Sequence, residues 1–228
     1  MRNCVTLSCM RLVAAIAVSF CSAATAMADT IWTDWTSASN GAPGSASGSL
    51  GGVTVTYSGQ LINSVINGSS PVWSPNSSFI GGTVSTSPSA VGDVLFLSGA
   101  STGINTITFA SPEVDPVFAI WSLGHTGVTA SFIFQATPVL QAGGPNSQFG
   151  GQSIIVSGNT VSGQEGNGVV RFSGTFTSLS WTNTFEDSYG FTVGTAAAVP
   201  EPSTAITLGL GMAAIGLARY FRGRKVGV

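Results

Sequence analysis

Short runs of alternating apolar and polar residues, separated by Gly, Asn, Ser and Pro, fill most of the chain between Val53 and Val193. Residues 53–57 show the pattern, with three apolar side chains on one face of an extended strand and two threonines on the other. No segment before Pro200 has the 3.6-residue period of a helix. Similar strand patterns occur at residues 93–98, 105–109, 117–121, 129–134, 153–157, 169–173, 176–181 and 190–193.

About nine or more strands without intervening helices predict an all-β domain over residues 29–198. The favoured architecture is an antiparallel β-sandwich, jelly-roll-like, and a barrel or a short β-solenoid is the alternative. Trp32, Trp35 and Trp73 lie in polar or proline-rich segments and are the better candidates for an exposed aromatic surface, although packing remains the favoured role. Aromatic residues at alternating strand positions are expected in the core: Phe118, Trp121, Phe132, Phe134, Phe172, Phe176 and Trp181.

Residues 1–28 have the features of a signal peptide, which implies export through the Sec translocon. Arg2 and Arg11 precede an apolar stretch over residues 12–20, and Ala26 and Ala28 form the small-residue pattern of a cleavage site. A lipoprotein start at Cys21 is disfavoured because the bulky Phe20 precedes it. Cleavage after Ala28 removes every cysteine, so the mature protein has no disulfide.

The C-terminal segment, residues 199–228, combines a Pro-Glu-Pro sequence, an apolar stretch and a basic end. The apolar stretch predicts a short transmembrane helix of roughly 22 Å, against roughly 30 Å for a bilayer core, so it suits a transient anchor in the inner membrane. The membrane-facing residues are Ala205, Ile206, Leu208, Leu210, Ile215 and Leu217. The basic residues that follow them are Arg219, Arg222, Arg224 and Lys225, which place the body outside the cytoplasm.

Val199, Pro200, Glu201 and Pro202, followed by that helix and arginine cluster, resemble the PEP-CTERM sorting signal. The resemblance implies that an exosortase, a membrane protease, recognises the tail and processes it near Pro200–Glu201–Pro202. It also implies delivery to the cell surface or the biofilm matrix of a Gram-negative bacterium that makes extracellular polysaccharide. The resemblance covers the last 30 or so residues and says little about the activity of the body.

The charge of the body excludes one large class of partner. Between Asp29 and Val199 the only basic residue is Arg171, set against eight carboxylates. A domain with one cation cannot neutralise several phosphates, so nucleic-acid binding is excluded. Cations or neutral polymers such as exopolysaccharide are the expected partners.

The sequence contains no coherent catalytic set, and no cofactor is expected apart from a possible calcium ion. His125 is the only histidine, which excludes a multi-histidine metal centre. Two acidic pairs, Glu113 with Asp115 and Glu186 with Asp187, are candidate calcium ligands, because calcium prefers clustered carboxylate oxygens.

We therefore expect a non-enzymatic, exported surface or extracellular-matrix protein with a structural or adhesive role in a biofilm. The alternative is a secreted carbohydrate-binding protein or carbohydrate-active enzyme. Its acid and base would come from the same four carboxylates together with Glu165.

Overall fold

The computed structural model describes residues 29–99 and 103–196. These residues form strands and two 3₁₀ helices, Pro71–Trp73 and Asn76–Ser78. The strands are β1 (Thr30–Trp32), β2 (Asp34–Ser39), β3 (Gly41–Leu50), β4 (Val53–Leu61), β5 (Asn63–Val65), β6 (Val94–Leu97), β7 (Asn105–Val114), β8 (Val117–Leu123), β9 (Ala130–Phe134), β10 (Pro138–Gly143), β11 (Ile155–Ser157), β12 (Thr160–Gly163), β13 (Gly166–Phe172), β14 (Thr175–Asn183) and β15 (Tyr189–Ala196).

The predicted signal peptide, residues 1–28, and the predicted tail, residues 199–228, lie outside the described residues. The cleavage, sorting, anchor and basic residues named above therefore stay predictions of the sequence. Within the described ranges no helix has the length and apolar character that a membrane span requires.

The strands form two antiparallel sheets. The seven-stranded sheet has the order β10-β13-β8-β15-β6-β5, with β1 also paired to β15. The eight-stranded sheet has the order β11-β12-β9-β14-β7-β4-β3-β2. From β6 onward the chain changes sheet at almost every connection, so residues far apart in sequence become neighbours. The prediction of an all-β antiparallel fold of two packed sheets is confirmed.

The space between the sheets holds a cluster of aromatic rings. Phe118 stacks on Phe191 with ring centroids 5.1 Å apart, and it meets Trp181 edge to face, also at 5.1 Å. The expectation of aromatic residues in the core is confirmed, although Phe176 is only partly buried and packs against the cluster. The fully buried members of the expected set are Phe118, Phe132, Phe134, Phe172 and Trp181.

Two of the tryptophans considered for an exposed surface are buried. Trp35 lies in the core, where its Nε1 donates to Thr192 Oγ1 at 3.1 Å. Trp73 packs edge to face against Phe79 with ring centroids 5.2 Å apart. Trp32 is half-buried and donates to the Thr86 carbonyl oxygen at 2.9 Å. These three residues therefore form no exposed aromatic surface, and packing is confirmed for Trp35 and Trp73.

A second apolar cluster lies on the outer face of the seven-stranded sheet. Residues 66–93, which carry both 3₁₀ helices, supply Val72, Trp73 and Phe79 to this cluster. As a result, β8 is buried along its whole length, with alternate side chains in the two clusters. This cover ends near the last residues of β8 and leaves a pocket there.

Candidate functional site

The pocket has a volume of about 420 Å³, within the range of roughly 300–1,000 Å³ that is usual for small-molecule sites. It lies where β8 ends and β15 begins, beside the end of β6 and the start of β5. The lining residues are Asn63, Phe96, Trp121, Ser122, His125, Phe149, Glu165, Glu186, Asp187 and Ser188. We refer to it as the carboxylate pocket.

Strand register builds the aromatic wall of this pocket. Phe96 and Trp121 flank Gly190 as its partners on β6 and β8. Because Gly190 has no side chain, the two rings meet across it edge to face, with centroids 5.9 Å apart. A Cβ atom at this position would lie 2.7 Å from Val94 Cγ2 and 3.3 Å from Phe96 Cε1.

A tight turn between β10 and β11 adds a third ring. The side-chain Oδ1 of Asn146 accepts hydrogen bonds from the backbone N–H groups of Gln148 at 2.8 Å and Phe149 at 2.7 Å. This local arrangement is typical of asparagine in turns. The turn holds Phe149, 59% exposed, with its ring centroid 5.6 Å from that of Trp121.

Asn167 fixes the backbone around the pocket although it does not line it. This fully buried side chain accepts hydrogen bonds at Oδ1 from the Ser122 backbone N–H at 2.8 Å and from Asn146 Nδ2 at 3.0 Å. Its Nδ2 donates to the carbonyl oxygen of Glu165 at 2.7 Å. One amide group therefore ties together the end of β8, the turn that carries Phe149 and the residue before β13.

Two non-glycine lining residues adopt the left-handed backbone region. Ser122 and Glu165 both have φ of 54°, which is unfavourable for residues with a side chain. The Ser122 hydroxyl donates to Glu165 Oε2, so the two residues hold each other. Backbone strain of this kind persists where the surroundings fix it, and such places are often functional sites.

Glu186 is the most buried carboxylate among the residues that the structure describes. Its side chain is only 5% exposed, and its Oε2 has no hydrogen-bonding partner among the described residues. Burial raises the pKa of Glu186, and the nearby charges of Asp187 and Glu165 raise it further. Backbone hydrogen bonds from Ser188 and Asp187 act in the opposite direction because they stabilise the ionised form.

Trp121 provides an unpartnered donor to match this acceptor. Its side chain is 6% exposed, and its Nε1 makes no hydrogen bond in the part of the chain that the structure describes. Buried polar atoms are nearly always partnered, so each exception needs a reason. The Nε1 atoms of Trp73 and Trp181 are also unpartnered, but of these three tryptophans only Trp121 lines the carboxylate pocket, as Glu186 does.

The single arginine of the body lies far from these acids along the sheet. Arg171 pairs with Val117 at the start of β8, whereas Trp121 and Ser122 lie near its end. The Arg171 Nη1 is 3.3 Å from Asp115 Oδ2, and Asp115 Oδ1 also accepts a hydrogen bond from the Gly174 N–H at 2.7 Å. The carboxylate pocket therefore contains three acids and neither arginine nor lysine.

The structure separates the two acidic pairs that the sequence singled out. Glu186 and Asp187 line the carboxylate pocket, and Glu165, which belonged to the enzyme alternative, joins them. Glu113 lies on β7 and Asp115 directly follows that strand, and neither lines the pocket. No group of three His, Cys, Asp or Glu side chains within residues 29–99 and 103–196 is arranged to hold a metal ion.

Several lining residues were not singled out as site residues by the sequence. Ser122, Phe149 and Asn63 have ordinary local sequences, and only the strand order brings them together. Trp121 was expected in the core, where it does pack, but one edge of the pocket depends on it. His125, noted only as the sole histidine, lies in the turn between β8 and β9 and also lines the pocket.

Comparison with known proteins assigns the C-terminal segment. A family model described as the PEP-CTERM protein-sorting motif matches residues 198–225. This confirms the resemblance seen in the sequence and indicates export with exosortase-dependent, membrane-associated sorting. Neither the curated proteins nor the solved structures give a match to the chain.

Proposed function

We propose that this protein is a structural or adhesive component of the surface or extracellular matrix of a Gram-negative bacterium. The Sec translocon exports it, the tail anchors it briefly in the inner membrane, and an exosortase processes it near Pro200–Glu201–Pro202. The observation that carries the proposal is the position of the sorting motif. The motif begins at residue 198, two residues after the end of β15 at Ala196, so the sandwich and the sorting tail are consecutive units along the sequence.

The outer face of the eight-stranded sheet supports a role in a hydrated polysaccharide matrix. Paired positions across five strands carry hydroxyl side chains instead of charges, and all of these side chains are exposed or half-buried. One row across the sheet is Ser37, Ser47, Thr56, Thr108 and Ser178, and the next is Ser39, Ser45, Ser58, Thr106 and Ser180. Hydroxyl groups donate and accept hydrogen bonds, so this face suits an uncharged, hydroxyl-rich polymer.

Fractionation of the native host tests the proposal. The protein should be recovered from the cell surface or the extractable matrix, and deletion of its gene should lower the amount of matrix-bound polysaccharide. A variant with Pro200, Glu201 and Pro202 all replaced by Ala should remain with the membrane fraction. Recovery of the unprocessed wild-type chain from the cytoplasm would contradict the proposal.

A second candidate function is a carbohydrate-active enzyme, and the gathering of Glu165, Glu186 and Asp187 in one pocket favours it. Glycoside hydrolysis needs one protonated carboxylic acid and one ionised carboxylate. Burial gives Glu186 the raised pKa of the acid, while Asp187 or Glu165 would serve as the carboxylate. Release of reducing ends from the host polysaccharide, lost in Glu186→Gln and kept in Glu113→Gln, would establish this function.

A further inference from the structure

We propose that the carboxylate pocket binds a sugar that carries a protonated amine, such as a glucosamine unit of a partly deacetylated polysaccharide. This inference rests on the proposed function, because both require the body to act by binding. It adds the class of ligand that the carboxylate pocket binds. Four observations carry it: an unpartnered buried carboxylate, two further acids, a wall of aromatic rings and an unpartnered indole N–H.

The carboxylates favour a positively charged ligand. A buried, ionised carboxylate without a counter-ion is unfavourable, and Glu186 has two other acids beside it. The body has one arginine, which is already paired with Asp115 at the other end of β8. His125 is the one basic side chain among the lining residues of the pocket, set against three acids, so a cationic ligand would complement their charge.

The aromatic rings select an organic cation. Phe96, Trp121 and Phe149 line the same pocket as the acids, and the Trp121 ring contacts both phenylalanine rings. Aromatic faces attract ammonium groups and also pack against the C–H groups of a sugar ring. A hard metal ion prefers a shell of oxygen ligands and gains nothing from these rings.

The indole N–H of Trp121 has a hydrogen bond to offer, which favours a ligand with an acceptor next to its cation. Trp121 Nε1 is a donor only, and a quaternary or alkyl ammonium offers it no oxygen. A sugar ring supplies hydroxyl and ring oxygens within a few bonds of its amine. An amino sugar is thus the simple ligand class that satisfies the carboxylates, the rings and the indole together.

Calorimetric titration of the full chain, purified in a mild detergent, tests the inference. The probes are a tetramer of β-1,4-linked glucosamine and its fully N-acetylated counterpart, which has the same sugars without the charges. We expect the amine form to bind at least tenfold more tightly than the acetylated form. Equal affinities, or no binding of the amine form, would overturn the inference.

Two pairs of variants locate the binding. Glu186→Gln should weaken binding of the amine tetramer at least tenfold, whereas Glu113→Gln, at a carboxylate outside the pocket, should not. Phe149→Ala should weaken binding, whereas Phe185→Ala should not, although Phe185 is 64% exposed and Phe149 is 59% exposed. Asp187→Asn, at an exposed residue, replaces Glu186→Gln if that variant does not fold.

Competition separates the remaining ligands. Choline or calcium chloride, each at tenfold molar excess over the amine tetramer, should leave the Kd of the tetramer unchanged within a factor of two. Displacement by calcium would show a metal site in the pocket and would overturn the inference. Failure of these titrations leaves the fractionation result intact, so the sugar site and the proposed function can be judged separately.

Discussion

Asn167 shows how one buried side chain can organise a site that it does not touch. An amide has two donor positions and an acceptor oxygen, and here they bond to backbone or side-chain atoms of Ser122, Asn146 and Glu165. No apolar side chain can replace these bonds. Loss of the Asn167 amide would leave several buried polar groups without partners at the edge of the pocket.

We predict that Asn167→Ala lowers the free energy of unfolding by about 3 kcal/mol, since each unsatisfied buried group costs about 1–3 kcal/mol. Urea denaturation followed by tryptophan fluorescence measures the change. Asn40→Ala, at an exposed residue between β2 and β3, is the control and should change the value by less than about 0.5 kcal/mol. A loss of similar size in both variants would remove the special role assigned to Asn167.

The raised pKa of Glu186 predicts how stability changes with pH in the unliganded protein. An acid whose pKa is higher in the folded state favours folding when protonated. The contribution of Glu186 to stability should therefore be greatest below its unfolded pKa of about 4.3 and should be lost as the pH rises through the folded value. Glu186→Gln should flatten this part of the curve and raise the melting temperature at pH 7 relative to wild type.

The affinity for the amine tetramer should increase as the pH rises from acidic values. The reason is that the ionised carboxylate is the form that attracts the ammonium group. Glu165, Asp187 and His125 line the same pocket, so comparison with a Glu186 variant is needed to isolate the effect of Glu186. Glu186→Gln identifies the part that comes from Glu186. A binding profile that is identical in the two proteins would contradict this assignment.

At the scale of the strands, register explains where the pocket lies. β15 pairs with β6 on one side and β8 on the other. The partners of Gly190 on β15 are Phe96 on β6 and Trp121 on β8. The sequence predicted these three strands because each has a run of apolar residues. It could not predict their order, since order depends on which backbones pair across the sheet.

We predict that Gly190→Val destabilises the protein by about 1–3 kcal/mol, because the added atoms overpack a site where a Cβ would lie 2.7 Å from Val94 Cγ2. The change should also separate the Phe96 and Trp121 rings and weaken the near-ultraviolet circular dichroism of the tryptophans. Ser58→Val, at an exposed residue of β4, is the control for placing a valine in a strand without overpacking. Unchanged dichroism in Gly190→Val would contradict the account of the aromatic wall.

The two faces of β4 provide a direct test of the sandwich. Val55 is fully buried in the core and Thr56, the next residue, is exposed on the hydroxyl rows. We predict that Thr56→Glu changes the free energy of unfolding by less than about 0.5 kcal/mol, whereas Val55→Glu prevents folding. Similar melting temperatures for the two variants would show that the face assignment is wrong.

Elements with weak apolar patterns were the ones that the sequence missed. β2 and β3 consist largely of Ser, Ala and Gly, which carry little apolar pattern. β3 therefore depends on its pairing with β4, and β2 depends on its pairing with β3. Residues 66–93 carry few regular elements, yet Trp73 and Phe79 from this segment cover the outer face of β8. Both cases depend on tertiary contacts that a local pattern does not contain.

For the whole molecule, the sequence was most informative at the C-terminal end and in the fold class. A sorting motif is a contiguous stretch of sequence, so the one at residues 198–225 could be identified from its own residues. The carboxylate pocket, in contrast, joins residues from Asn63 to Ser188 through the order of strands in one sheet. Its acids were visible in the sequence, but their convergence was not.

The central claim is that the β-sandwich is exported and that the segment from Val199 onward is a sorting signal that is cleaved off. The most direct test is the intact mass of the protein recovered from the surface and matrix of the native host, with and without its exosortase. The account predicts a chain that lacks residues 1–28 and is cut near Pro200–Glu201–Pro202, and a chain that keeps the tail when the exosortase is absent. A surface form that retains residues 203–228 in the presence of the exosortase would contradict it.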